Sequence, residues 1–297
     1  MSQYAFNKPV FGPAIESNPF GVTFYVSNTT NPTEDQGSPG PTASGRSPKN
    51  PYGTIAAAVA ATVSGRGDTI VIQRGTYTEN VTITQNGLTL KSASGEGYPD
   101  HVVITGRTIV TASNCTFIGI EFFSNSATLP SVTVGSQGGT DRNSTAFLGC
   151  SFASDGSTEP LVGLKMFGGN NYRIRGCNFI DNGSGIVFEG SADSFPSNIQ
   201  IRDSLFMENT TAHVRTSTVA LDGTGPGSFE NLTMVNCVLN RGAVTPTDQV
   251  NLAGGNGIIA NCMFAEVTNN SGNIVIPTGV LFVANGTEAG ISTARPA

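Results

Sequence analysis

Ile174-Arg175-Gly176-Cys177-Asn178-Phe179 is one copy of a six-residue pattern that recurs along the chain. The pattern reads apolar residue, any residue, Gly, Asn or Asp, then Cys or Ser, any residue, and Phe or Leu. Its six copies carry their Cys or Ser at Cys115, Cys150, Cys177, Ser204, Cys237 and Cys262. Successive copies lie 35, 27, 27, 33 and 25 residues apart. Repeats of this length are typical of a solenoid in which each repeat forms one coil.

The spacing inside the pattern predicts a strand that bends. Side chains alternate along a strand, so the Cys and the Phe point inward with one outward residue between them. Two residues, rather than one, separate the first apolar residue from the Cys, which requires a bend. The bend residues are Asn114, Gly149, Gly176, Asp203, Asn236 and Asn261. These residue types enter the left-handed backbone region at low cost, so we predict left-handed corners followed by one buried column of Cys and Ser.

The five cysteines are interpreted as core residues rather than as ligands or redox groups. Zinc sites are built from closely spaced pairs, whereas these cysteines come one per coil. An odd number also argues against a fully paired disulfide framework. Cys is a small apolar filler that suits a narrow core. We therefore expect no metal and no cofactor.

The composition predicts an all-β chain and excludes some classes of function. Only 12% of residues are charged, and 37 of the 297 are Gly, which is the composition of strands and tight turns. The net charge of −6 comes without any Lys/Arg cluster, which argues against nucleic-acid binding. No apolar run reaches the roughly 18 residues of a membrane span, and the first residues lack the features of a signal peptide.

Periodicity divides the chain into four parts. These are an extended N-terminal arm (1–22), an entry strand, loop and capping helix (23–66), a parallel β-helix (67–285) and a polar tail (286–297). The arm is predicted to attach the protein to a partner through Phe6, Phe11 and Phe20, which have no core of their own. The helix is predicted over 54–63, with Ile55, Val59 and Val63 on its apolar face.

The amino-acid sequence of the entry region and first coil resembles that of a known family. Residues 51–55 read Pro-Tyr-Gly-Thr-Ile, 67–72 read Gly-Asp-Thr-Ile-Val-Ile, and 75–83 read Gly-Thr-Tyr-Thr-Glu-Asn-Val-Thr-Ile. This stretch resembles the entry region of the pectate-lyase-like β-helix superfamily, and within it phage or viral structural and tailspike-type proteins. The resemblance implies a right-handed helix of three sheets. It implies little about function, because the superfamily holds lyases, hydrolases, tailspikes and surface proteins.

Asp181 and Glu208 are the weak catalytic candidates if the protein is an enzyme. Each stands two residues after a core Phe, on successive coils, and each is followed by Asn. Two carboxylates one coil apart approach the ~5 Å separation of retaining glycosidases. The alternative is a solvated column of turn residues, with Arg241 between Glu208 and Glu266. We favour that alternative and expect no cleavage of polysaccharides.

Other chemistry is poorly represented. Lyases of the resembling superfamily need a basic residue opposite acidic calcium ligands. Arg175 and Arg202 are predicted outward on adjacent coils, but no Asp-rich group accompanies them. His101 and His213 are isolated and are interpreted as surface or turn residues. The chain has no Trp and six Tyr, which lowers the case for a groove that stacks aromatic rings on sugars.

These observations lead to a hypothesis of a non-enzymatic viral (phage) structural protein, such as a capsid decoration, head-fibre or tail-associated component. It would reside in the virion, assembled in the host cytoplasm. Its partners would be other virion proteins, bound through the arm, further copies of itself, for example as a trimer, and a host surface glycan. The alternative is a tailspike-like protein that binds or degrades polysaccharides as a glycoside hydrolase or lyase. A bacterial adhesion module is disfavoured by the missing export signal.

Overall fold

A computed structural model describes residues 21–28, 44–95, 102–124, 126–135, 144–154, 161–190, 194–217, 227–240, 248–264, 273–287 and 290–292. In these residues the chain forms three long sheets, which confirms the predicted single parallel β-helix. Residues 1–20 of the proposed arm, which include Phe6, Phe11 and Phe20, lie outside the described residues. No helix within the described ranges is long and apolar enough to cross a membrane.

Three sheets, A, B and C, form the sides of the solenoid. Sheet A contains β1 (Thr23–Val26), β2 (Thr69–Ile72), β5 (Thr89–Ser92), β8 (Thr116–Ile118), β11 (Ala146–Leu148), β14 (Gly169–Arg175), β17 (Pro196–Arg202), β20 (Glu230–Val235), β23 (Asn256–Ala260) and β26 (Gly279–Val283). Sheet B contains β3 (Gly75–Tyr77), β6 (Val102–Ile104), β9 (Ile120–Phe123), β12 (Ser151–Ala153), β15 (Asn178–Ile180), β18 (Leu205–Met207), β21 (Val238–Asn240), β24 (Met263–Phe264), β27 (Asn285–Thr287) and β28 (Gly290–Ser292). Sheet C contains β4 (Val81–Ile83), β7 (Thr108–Val110), β10 (Val132–Val134), β13 (Val162–Met166), β16 (Ser184–Phe188), β19 (Ala212–Thr216), β22 (Asp248–Asn251) and β25 (Asn273–Val275).

Each coil adds one strand to sheet A, then one to sheet B and one to sheet C. Sheet neighbours therefore come from successive coils and pair in parallel, about 4.8 Å apart. β27 and β28 differ, since they pair with each other in antiparallel fashion. They lie in the stretch after residue 285 that the sequence predicted as a polar tail, because two such short strands carry no readable apolar alternation.

The core is built from columns of like residues. In sheet B the rings of Phe152 and Phe179 stack with centroids 4.6 Å apart, and those of Phe179 and Phe206 stack 4.8 Å apart. These spacings equal the distance between parallel strands, so identical residues on successive coils meet face to face. The stack is fully buried and fixes the register of the coils around it.

The corner between sheets A and B follows the predicted pattern. The bend residues have left-handed φ angles between 53° and 62°, namely Gly149, Gly176, Asp203, Asn236 and Asn261. Each is followed by a residue no more than 3% exposed, namely Cys150, Cys177, Ser204, Cys237 and Cys262. The five cysteines are free thiols in the interior, which confirms that they are buried.

The position predicted for Cys115 is wrong, although its burial and the left-handed φ of Asn114 are confirmed. Cys115 precedes β8 of sheet A, so it lies at the corner between sheets C and A. The residue that aligns with Cys150 is Ile120, next to a left-handed Gly119. Both corners combine a left-handed residue with an inward one, so a six-residue pattern alone cannot distinguish them.

One short helix, α1 (Ile55–Ala61), packs on the first strands with Ile55, Ala58 and Val59 buried. Thr54 caps it, and the Glu79 carboxylate accepts hydrogen bonds from the N–H groups of Ile55 (2.8 Å) and Ala56 (2.9 Å). Such a carboxylate satisfies N–H groups that lack partners within the helix.

The helix is shorter than predicted. Val63, expected on its apolar face, is 51% exposed. Its N–H donates to Asp68 Oδ2 (2.8 Å) rather than continuing the helix. The competing hydrogen bond from the next turn therefore ends the helix at Ala61.

The buried column predicts a sharp response at Cys177, whose thiol is fully buried and has its pKa raised by burial. Cys177→Asp places a charge among apolar neighbours and should lower the free energy of unfolding by at least about 3 kcal/mol. Cys177→Ser is the control. In the next coil the same place is held by Ser204, whose hydroxyl donates to the carbonyl of Arg202 (2.8 Å). Urea denaturation measures both variants, and equal losses would contradict the assigned column.

Candidate functional site

A groove of about 870 Å³ runs along the outer face of sheet A. Its floor consists of outward side chains from successive coils, so the strand register decides which of them are neighbours. One column contains Thr69, Thr89, Thr116, Ala146, Arg173 and Gln200. The parallel column two residues further along each strand adds Leu148, Arg175 and Arg202 to the lining. The floor therefore changes from hydroxyl and apolar groups to guanidinium groups along the solenoid axis.

The turn that enters the solenoid is held by Asp68 next to Gly67, which lines the groove. The Asp68 side chain is 1% exposed and accepts hydrogen bonds from the Arg66 guanidinium and the N–H groups of Val22 and Val63. Burial alone would raise the pKa of Asp68, but these hydrogen bonds outweigh it and lower the pKa. These hydrogen bonds hold the backbone at this end of the groove in place.

Arg173, Arg175 and Arg202 form a cationic cluster at the other end of the groove. All three side chains are exposed, and the register places Arg175 directly beside Arg202. This confirms that both point outward on adjacent coils, and it adds Arg173, which the sequence reasoning missed. The lining contains one carboxylate, Asp203, against these three guanidinium groups. A local excess of positive charge thus stands on a chain whose net charge is −6.

Asp203 lies at the rim of this cluster, on the left-handed corner that follows β17. Its Oδ2 is 3.5 Å from Arg175 Nε, and its Oδ1 accepts a 3.2 Å hydrogen bond from Asn236 Nδ2. The side chains of Arg175 and Asp203 are 72% and 46% exposed, so this ion pair is weak and open to competition.

A row of asparagines borders the cluster on the other side. Asn171, Asn198 and Asn231 have left-handed φ angles of 65°, 50° and 52°, and they lie at the same level of β14, β17 and β20, where the backbone pairing is interrupted without a change of register. Asn231 Nδ2 donates to Asn198 Oδ1 (3.1 Å), and the backbone N–H of Asn231 donates to Asn256 Oδ1 (2.8 Å). The signal was present in the sequence, because these asparagines recur at the same 27- and 33-residue spacings as the corner residues.

The structure places Asp181 and Glu208 away from the groove. Both have left-handed φ angles, 55° and 57°, at the corner between sheets B and C. They lie one coil apart, because Ile180 pairs with Met207. The carboxylates are half-buried, while the neighbouring Asn182 and Asn209 are fully buried. This corner is built around the two asparagines.

The two asparagines form a buried hydrogen-bonded ladder. Asn182 Nδ2 donates to Asn209 Oδ1 (3.0 Å), and Asn209 Nδ2 donates to the carbonyl of Phe179 (2.9 Å). The ladder satisfies backbone groups at a turn that would otherwise be unpaired in the interior. It explains why Asn follows each of the two acids.

The interpretation of His213 as a surface residue is wrong. Its side chain is fully buried in β19, and its Nδ1 accepts a 2.9 Å hydrogen bond from Asn209 Nδ2. The register aligns it with Gly185 in the coil below, where an added Cβ would lie 2.6 Å from the His213 carbonyl oxygen and 3.1 Å from the Phe206 ring. A side chain at position 185 would therefore collide with the backbone of β19. Burial lowers the pKa of His213 to about 3, against a smaller opposing effect of the Asn240 backbone. His101 lies outside the described residues.

The buried His213 predicts an acid-sensitive fold. Its pKa is about 3 in the folded chain and about 6.5 in the unfolded chain. Below pH ~6.5 the unfolded state takes up a proton that the folded state excludes, so stability falls as the pH drops towards 3. The slope contributed by this residue reaches about 1.4 kcal/mol per pH unit.

Urea denaturation of the wild type and of His213→Gln between pH 7 and pH 4 isolates this contribution, because all other titrating groups are common to both. The wild type should lose more stability than the variant over this interval. Parallel curves would show that the imidazole is not held neutral by burial.

No metal-binding constellation is found among the described residues, in which no group of three or more His, Cys, Asp or Glu side chains converges. The acidic calcium ligands that lyases of the resembling superfamily need therefore do not stand opposite Arg175 and Arg202 within this part of the chain. The groove offers cations, amides and hydroxyl groups instead.

Comparisons with known proteins identify the fold. No protein-family model matches the sequence, and no curated protein matches it. Among solved structures, a pectin methylesterase from Aspergillus niger matches at 16% identity and a TM-score of 0.53, with 90% of each chain covered. A rhamnogalacturonan lyase matches at 13% identity and a TM-score of 0.62, over 90% of this chain and 74% of the lyase. Pectate lyase Pel9A matches at 16% identity and a TM-score of 0.55, over 89% and 68%. The fold is thus that of the pectate-lyase-like parallel β-helices.

These findings correct the hypothesis of a non-enzymatic virion component. The three matched proteins are enzymes that act on polysaccharides, and none of them is a virion protein. The comparisons favour the alternative of a polysaccharide-binding or polysaccharide-degrading protein. The sequence reasoning undervalued it because it searched for stacking aromatic rings, whereas sheet A presents guanidinium and amide groups.

Proposed function

We propose that the protein binds an acidic polysaccharide along the outer face of sheet A. The observation that carries this proposal is the cluster of Arg173, Arg175 and Arg202 in a groove of about 870 Å³. Guanidinium groups stay protonated in proteins and match carboxylates in a planar, two-point geometry. A polymer with a carboxylate on its sugars is the ligand that such a groove favours.

The shape of the groove supports a polymer over a small ion. Its lining extends from β2 to β17, six neighbouring strands of sheet A, which at about 4.8 Å per step is about 24 Å. This length accommodates several sugar residues. Thr69, Thr89 and Thr116 supply hydroxyl groups at its other end, and these suit sugar hydroxyls.

The groove does not favour hydrolysis by a pair of carboxylates. Glycosidases of that kind use two carboxyl groups on either side of the scissile bond. Among the described residues that line the groove, Asp203 is the only carboxylate. The proposal is therefore binding, and cleavage is not part of it.

The binding test uses polygalacturonate and a neutral galactan of similar length, measured by isothermal titration calorimetry. Polygalacturonate should bind and galactan should bind far more weakly, with affinity falling as salt is added because exposed charges are screened. Arg173→Ala and Arg202→Ala should each weaken binding about three- to tenfold, or about 0.7 to 1.4 kcal/mol.

Arg74→Ala is the control, because it removes an exposed arginine outside the groove lining. It should leave the affinity unchanged. Equal binding of both polymers, or no binding of polygalacturonate, would contradict the proposal.

A second experiment asks whether the bound polymer is cut. Polygalacturonate is incubated with the protein, and reducing ends and unsaturated ends are measured over time. Because the groove lacks a carboxylate pair, we expect neither product. Product that disappears in Glu208→Gln would restore Asp181 and Glu208 as catalytic candidates, and the appearance of unsaturated ends would indicate a lyase.

A further inference from the structure

Asp203 is not needed for the fold at the place where it stands. The equivalent corner residues on other coils are Gly149, Gly176, Asn236 and Asn261, all with left-handed φ angles. Asn at two of these places shows that the bend accepts an amide as well as a carboxylate. A negative charge at Asp203 therefore requires another explanation.

The surroundings of Asp203 point to the groove. Its carboxylate lies 3.5 Å from Arg175 and lines the groove together with Arg173 and Arg202. Asn236 Nδ2 holds the other carboxylate oxygen at 3.2 Å, which keeps the group facing the cluster. A ligand carboxylate that approaches Arg175 meets a carboxylate already in place.

We infer that Asp203 is an internal competitor that occupies Arg175 in the free protein and weakens the binding of acidic ligands. This inference rests on the proposed function. Its consequence is a lower affinity for every acidic ligand that contacts Arg175. Displacing Asp203 costs a polymer and a single anion the same free energy, so both lose affinity by a similar factor. Exposed ion pairs of this kind are worth about 1 kcal/mol or less, so the competition is reversible.

The test measures polygalacturonate and galacturonate monomer binding to the wild type and to Asp203→Asn. Asn accepts the left-handed φ of this corner, and its side-chain oxygen can still accept the hydrogen bond from Asn236. Thermal stability should therefore be unchanged. Polygalacturonate should bind two- to fivefold more tightly to the variant, which corresponds to about 0.4 to 1 kcal/mol. The monomer should gain affinity for the variant by a similar factor.

Two further variants separate competition from net charge. Asp181→Asn makes the same substitution at a left-handed corner outside the groove and should not change the affinity. In an Arg175→Ala background, Asp203→Asn should gain less than twofold, because the competed group is gone.

The outcomes are distinguishable. If the wild type fails to bind polygalacturonate, the proposed function fails and the inference fails with it. If the wild type binds through the arginines but Asp203→Asn shows no gain, the inference alone is overturned. A gain that persists undiminished without Arg175, or one reproduced by Asp181→Asn, would also overturn it, since either result would reflect general repulsion.

Discussion

Parallel pairing of strands on successive coils sets the spacing of every column in this protein. A residue and its equivalent one coil later are held about 4.8 Å apart by the backbone hydrogen bonds of the sheet. The Phe152, Phe179 and Phe206 rings stack because this distance is imposed on them. The same constraint places Arg175 beside Arg202 on the outside. Core and groove therefore depend on one register.

The corners between the sheets keep the strand register the same from coil to coil. A left-handed residue between sheets A and B turns the chain while the next residue, Cys150 or Cys177 for example, fills the space inside the bend. At the corner between sheets B and C, buried Asn182 and Asn209 bond to each other and to the backbone. One corner is closed by small apolar residues and the other by amides whose NH2 groups donate to backbone carbonyls.

The parts of this structure that the sequence predicts are those governed by local rules. The bend residues and the buried cysteines follow from steric preference and side-chain alternation within six residues, and both are as predicted. The assignment of Cys115 to the same column failed because two corners obey the same local rule. The burial of His213 was not predicted, because it depends on Gly185 in the preceding coil. Nothing within the strand that contains His213 indicates that the preceding coil carries a residue without a side chain at this level.

The groove was harder to predict for a related reason. Arg173 and the left-handed asparagines acquire meaning only when coils of unequal length are aligned, and the long turns between them obscure that alignment. Once β14, β17 and β20 are placed side by side, the recurrence of Asn171, Asn198 and Asn231 is plain. Outward residues carry no apolar period, so the recurrence of the asparagines was the signal of this surface that the sequence contained.

The separation of inward and outward columns makes each coil a unit of length for the groove. The inward residues of sheet A pack in the core. The outward ones, such as Gln200 and Leu148, line the groove instead. Gain or loss of one coil would lengthen or shorten the floor by one step of about 4.8 Å without disturbing the remaining contacts. The length of the groove can thus change with the number of coils, while the outward residues of each coil vary independently of the core.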